Sequence, residues 1–124
     1  MHDVSVPAVG TEKDFLARLA LDLREFATVR DWERFHSPKN LAMALIVEAA
    51  ELVEHFQWQD AAESLTLLPE QRQGVADEVA DVLIYLVRLA DRLDIDIPLA
   101  VQDKMRRNGI KYPPLSPAGS GSGE

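Results

Sequence analysis

The chain has 124 residues, 47% of them apolar but only 6% aromatic, which suits a single domain with an aliphatic core of Leu, Ala, Val and Ile, better packed as helices than as sheets. Its 21 acidic against 13 basic side chains, a formal charge of -8, exclude a protein whose main work is to wrap a nucleic-acid polymer. Without cysteine there is no disulfide, thiolate nucleophile or thiolate metal site; no apolar run reaches the ~20 residues that span a bilayer, and MHDVSVPAVG lacks the basic-then-apolar build of a secretion signal, so a soluble, cytoplasmic protein with no membrane partner is expected.

Proline and glycine divide the chain into helical segments. Residues 1–10 are expected to be flexible. The first helix opens at Thr11, whose hydroxyl can cap the amide of Asp14, and runs to about Asp31 with Phe15, Leu19, Leu23 and Phe26 on one face. A turn, RDWERFHSPKN, then gathers Trp32, Phe35 and His36 beside Lys39 and Asn40. The second helix starts at Ser37 with Pro38 in its first position and reaches about Trp58. The connection holds Ala61, Ala62, Leu65 and Leu67, enough for a short helical turn before Pro69. The third helix is predicted from Pro69 to Leu93 and the fourth from Pro98 to Asn108.

These elements make residues 11–113 one all-α domain, a four-helix bundle, and leave residues 114–124 as a disordered tail with nothing to bury. The second and third helices, with LAMALIV and VLIYLV, are apolar around most of their circumference. A chain this small cannot cover both, so a homo-oligomer is expected, a dimer or a dimer of dimers.

The same two helices carry the acidic residues that need explaining. Glu48 and Glu51 stand three apart in EAAELVE, and Glu78 and Asp81 repeat the device in DEVADVLIYL. Residues three apart lie about 60° apart around a helix and ~4.5 Å along it, so each pair shares a face. If the helices pack antiparallel, four carboxylates converge beside an aliphatic core, an arrangement that makes sense around a cation. An all-carboxylate oxygen set points to Mg²⁺ or Mn²⁺ rather than zinc or copper. Either pair alone also fits a solvated helix edge. Glu54 and Asp77 read as flanking positions, and Glu63, Glu70, Asp91 and Asp94 as solvent-facing.

Two other groups could contact a ligand. Lys104, Asn108 and Lys111 fall at i, i+4 and i+7, one face if the fourth helix persists past Gly109, and offer a phosphate site or simply complement the helix dipole. His36 and both Trp residues, Trp32 and Trp58, lie where the second helix begins or ends. Flat rings plus an amide can grip a nucleobase, although aromatics at helix ends also serve as lids over the core.

In order along the chain, RDWERFHSPKNL, EAAELVEHFQW, DEVADVLIYLVRLADRLDIDIPLAV and KM..N..KYP resemble the MazG-like all-α nucleoside triphosphate pyrophosphohydrolases, and among them the dCTP pyrophosphatase group, from about Asp14 to Pro113. The resemblance implies a helical bundle assembled through tightly packed dimers into a tetramer, with active sites built from more than one subunit. It implies hydrolysis of a nucleoside triphosphate to the monophosphate and pyrophosphate, with Mg²⁺, replaceable by Mn²⁺, held on ExxE and ExxD pairs that fall on Glu48, Glu51, Glu78 and Asp81. It further implies base and sugar contacts at His36, Trp58 and Tyr85, phosphate contacts at Lys104, Asn108, Lys111 and Tyr112, and supporting roles for Trp32 and Asn40. The connection from Trp58 to Pro69 is short beside some dCTP pyrophosphatases, and the tail matches nothing. Of the rivals, a di-iron bundle would want an ExxH pair on each of two helices, which is absent, and a non-catalytic helical interaction module leaves the acidic pairs without a purpose.

Overall fold

The computed structural model describes residues 12–116, and among them every regular element is helical. Helix α1 is Glu12–Val29, α2 Pro38–Glu54, α3 Pro69–Arg92 and α4 Ile97–Lys111, with single 3-10 turns at Glu33–Phe35 and Glu63–Leu65. The chain divides into two compact units, Met1–Asp94 and Ile95–Glu124. In the first, α3 is the shared helix, packed along α2 and also against α1. None of the described helices is long and apolar enough to cross a membrane.

Local chemistry sets the ends. Beyond α1, the amide of Trp32 donates to the Ala27 carbonyl (2.9 Å) and that of Asp31 to Thr28 (3.1 Å), the paired bonds of a Schellman cap. Asp31 takes the left-handed conformation (φ 58°) where glycine is usual, so α1 stops at Val29, short of the predicted Asp31. Ser37 Oγ accepts from the amide of Asn40 and caps α2 with Pro38 behind it. The other predicted end of α2, Trp58, is corrected to Glu54. From His55 the amides turn to i−3 carbonyls, His55 to Leu52 and Phe56 to Val53, and the α-ladder closes. The short turn before Pro69 is present, with Asp60 and Glu63 each accepting from the other's amide.

Helix α4 is longer than predicted. Asp96 Oδ1 caps it by accepting from Leu99, and it runs through Gly109 to Lys111, since one glycine in a helix interior costs only about 1 kcal/mol. Residues 114–116 have no regular structure and are exposed. The predicted Thr11 cap, the flexible residues 1–10 and the rest of the predicted tail lie outside the described residues.

The core sits where the end of α1, the start of α2 and the later turns of α3 meet, with Ala27, Leu41, Val87 and Ala90 buried together with the Arg88 side chain. Another face of α2 is bare: Met43, Ile46, Val47 and Val53 are all more than half exposed, Ile46 at 66%.

Candidate functional site

Helices α2 and α3 run antiparallel. Glu48 stands beside Glu78 and Asp81, and one heptad on, His55 stands beside Gly74. At that far point a Cβ built on Gly74 would lie 2.7 Å from His55 Cε1, so the glycine gives the imidazole room to lie against α3. This antiparallel register is the one the two acidic pairs require.

It brings carboxylate oxygens of Glu48, Glu78 and Asp81 within 4.8 Å of one another, all three side chains half-buried. Glu51 joins on the Glu78 side, where the two border a second hollow of about 480 Å³ with Glu54, His55 and Gln57. The Glu78 carboxyl is pushed up to about 7, first by its hydrogen bond to Glu48, then by desolvation and by Glu51. Glu78 Oε2 is buried without a hydrogen-bond partner among the described residues. A set of hard oxygen donors that repel one another, one of them sealed from water and unpaired, fits a divalent cation of the Mg²⁺ type.

One to two turns further along α3 lies a different surface. A cleft of about 640 Å³ is walled by Phe26 and Asp22 from α1, Trp32 and His36 from the turn, and Tyr85 and Arg88 from α3. Trp32 meets Phe26 edge-on at 5.6 Å and lies 6.1 Å from the His36 ring. Glu78, Asp81, Tyr85 and Arg88 follow one another at three- and four-residue steps, so a single stripe of α3 serves both carboxylates and cleft. Asp81 and Tyr85 are thus about 6 Å apart along the axis.

Below the cleft is an ionic cluster that sequence reasoning missed. Arg88, only 3% exposed, spreads its guanidinium over three partners: Nη2 donates to Glu33 Oε1 (3.0 Å), Nη1 to Asp91 Oδ2 (3.3 Å) and Nε to His36 Nδ1 (3.2 Å). Arg24 grips Asp91 with two bonds, Arg92 reaches Glu33 and the His36 carbonyl, and Thr28 Oγ1 donates to Glu33 Oε2. Asp91, expected at the solvent face, is instead a nearly covered acceptor, its carboxyl held below the usual range first by Arg24. Glu33 is lowered too, first by Thr28 and then by Arg88, while burial and the guanidiniums lower His36.

The other expected residues fall as follows. Asn40 Nδ2 donates to the Phe35 carbonyl (3.0 Å) and ties the turn to α2, a supporting place. Trp58 stands in the turn after α2, 90% exposed, and does not line the cleft. Lys104, Asn108 and Lys111 share a face of the unbroken α4, and the Tyr112 amide donates to the Asn108 carbonyl, with Lys111 Nζ 5.3 Å from the Tyr112 ring.

Comparison with known proteins converges on one family. The MazG-like family matches residues 43–117. Two proteins named dCTP pyrophosphatase 1, from Rattus norvegicus and Homo sapiens, are each 50% identical over 91 residues, covering 72% of this chain and 54% of the relative. The chain therefore spans about half the length of these relatives. A crystal structure of a pyrophosphatase from Archaeoglobus fulgidus is 43% identical, with a TM-score of 0.75, and the match covers 80% of this chain and 93% of that one.

Proposed function

The chain belongs to the MazG-like family, and on that premise we propose that it is a Mg²⁺-dependent nucleoside triphosphate pyrophosphohydrolase acting on dCTP or related pyrimidine deoxynucleotides, in control of the deoxynucleotide pool. The observation that carries the reading is the convergence of Glu48, Glu78 and Asp81 within 4.8 Å, on the same stripe of α3 as an aromatic cleft. The relatives named dCTP pyrophosphatase support the choice of substrate.

In this proposal Glu48, Glu78 and Asp81 hold the ion, with Mn²⁺ able to replace it. When bound, Mg²⁺ neutralises charge on the phosphoryl oxygens. Glu51 lies beside the converging three rather than among them, so it is the carboxylate left to orient the attacking water and take its proton. The water oxygen bonds to phosphorus as the anhydride between α and β phosphates breaks, giving monophosphate and pyrophosphate. Trp32, His36 and Tyr85 hold base and sugar. Lys104 and Lys111 supply positive charge to the phosphates and Asn108 and Tyr112 hydrogen-bond donors, roles resting on the family resemblance and, for the first three in chain order, on the shared face of α4.

A homo-oligomer, a dimer of dimers, completes the reading. The bare apolar residues of α2 and the uncovered ring of Trp58 support it, and a neighbouring subunit would bring such a ring to a nucleotide. The lack of cysteine supports a cytoplasmic site of action.

The test is product analysis by anion-exchange chromatography after incubation with Mg²⁺ and each common or 5-methylated deoxynucleoside triphosphate, with a chelated control. Monophosphate plus pyrophosphate, lost on chelation, is expected. Diphosphate plus phosphate, or no turnover of any nucleotide, overturns the reading.

A further inference from the structure

Asp22 has no part in the chemistry above, yet its place is unusual. It is half-buried on α1 and lines the cleft with Trp32, His36 and Tyr85. Its Oδ2 is sealed from water and has no hydrogen-bond partner among the described residues. Buried acceptors are nearly always paired, and the carboxylates that belong to the ionic cluster beneath are paired with arginine or threonine. With Oδ2 sealed, the Asp22 oxygen that can meet a donor arriving with the ligand is Oδ1, and the partly desolvated carboxylate makes it a strong acceptor.

The opposite polarity comes from His36. Arg88 has no acceptor to offer, so the 3.2 Å bond from its Nε to His36 Nδ1 requires Nδ1 to be the lone-pair nitrogen. Neutral His36 must then carry its proton on Nε2, and the arginine holds it in that tautomer. Asp22 and His36 both line the cleft, which thus holds an acceptor in the Asp22 carboxylate and, in the tautomer that Arg88 sets, a donor at His36 Nε2.

We propose that Asp22 is the base-selecting residue of this site, accepting from the exocyclic amine of an amino-bearing base while His36 donates from Nε2 to the neighbouring ring nitrogen. Arg88 is a positioning residue that acts through His36. Cytosine offers this donor–acceptor edge. Uracil and thymine present an oxygen and a ring N–H in the same places, so each would face a like group. The amino-bearing edge also occurs on adenine, and dATP is therefore assayed beside dCTP. The nucleotide context of this inference rests on the proposed hydrolase reading.

The experiment compares kcat/KM for dCTP, dATP, dUTP and dTTP in the wild type and in Asp22→Asn, a change of the same shape whose amide can donate as well as accept. The wild type is expected to favour dCTP over dUTP by about 100-fold, and the variant to cut that ratio at least about tenfold by losing dCTP and gaining dUTP. An unchanged ratio in a variant with native circular dichroism overturns the assignment. Turnover of dATP with the same dependence on Asp22 upholds the edge reading and makes adenine a second base for it.

A second measurement separates this inference from the hydrolase reading. Binding of dCMP and dUMP is followed by tryptophan fluorescence. A dCMP preference that Asp22→Asn removes, in a protein that hydrolyses nothing, would overturn the hydrolase and leave base selection standing. No preference would overturn base selection alone. Imidazole ¹⁵N shifts check the positioning role: His36 should be the Nε2–H tautomer in the wild type, and Nδ1–H there would refute it.

Discussion

Helix α3 borders two groups of charge that solve burial in opposite ways. At its later turns, Arg24, Arg88 and Arg92 interleave with Glu33 and Asp91, and the Arg88 guanidinium is satisfied within the fold. At its middle, Glu48, Glu51, Glu78 and Asp81 set like charges together and leave a Glu78 oxygen unpaired among the described residues. The first cluster is closed by its own chain and holds the turn that carries Trp32 and His36. The second is left incomplete by the chain. The difference teaches that charge balance, more than the mere presence of buried charge, distinguishes a structural cluster from a candidate metal centre.

The largest expected effect comes from removing charge at the incomplete end. Asp81→Asn and Glu51→Gln should each reduce turnover by about 10³-fold or more with the helical circular dichroism kept, because they strike the proposed ion site and proton acceptor. Near-wild-type rates in either variant would erase the functional side of the comparison.

At the balanced end the loss should appear in stability. Arg88→Met leaves Glu33 and Asp91 without their buried guanidinium. It should lower unfolding free energy by about 2 to 3 kcal/mol in urea, at or below the lower end of the range for a broken buried pair because Glu33 keeps some water. A change under about 0.5 kcal/mol would show the cluster to be ornamental.

Titration sharpens the contrast, because the two ends have opposite signs. Glu78 is raised to about 7, so between its ordinary carboxylate range and 7 the folded, metal-free protein binds more protons than the unfolded chain and stability falls as pH rises. Glu33 and Asp91 are lowered, so their contribution is present above the ordinary carboxylate range and is lost as pH falls through their depressed values. His36 is lowered and opposes this by adding stability as pH rises toward its ordinary value, so the decline that Glu78 contributes to the Tm of chelated protein from pH 5 to 7 is read against Glu78→Gln, which should lack it. A decline unchanged by that substitution would remove Glu78 as its cause.

The two ends also differ in how far the sequence revealed them. The carboxylates were legible because each pair is local, three residues apart on an apolar helix, and an antiparallel register needs no other signal to bring them together. The Arg88 cluster was not, since Arg24 and Asp91 lie 67 residues apart and nothing nearby marks either as a partner. In the sequence Asp91 reads as solvent-facing and nothing singles out Asp22, for the same reason. Trp32 and His36 stand out by their place at the start of the second helix and Tyr85 only through resemblance, and their meeting in one cleft is a tertiary fact. Helix ends erred where backbone bonding outweighed residue pattern, as when α2 closed at Glu54 and α4 ran on through Gly109.

The smallest effect probes the seam beyond the carboxylates, where α2 meets α3 at His55 and Gly74. Alanine at position 74 gains about 1 kcal/mol of helix propensity, but its Cβ would stand 2.7 Å from His55 Cε1, closer than carbon atoms approach. The imidazole must rotate away, so Gly74→Ala should change stability by less than about 1 kcal/mol, the two terms offsetting. In a His55→Ala background the clash is gone, and the same substitution should stabilise by nearly the whole propensity term. The coupling read from a double-mutant cycle is then about 0.5 to 1 kcal/mol. A coupling of zero would mean that the ring shifts freely and the glycine does not position it. A coupling above about 2 kcal/mol would mean that His55 is held as firmly as Arg88, and the carboxylate end of α3 would then be braced by a neighbour its own charges do not supply.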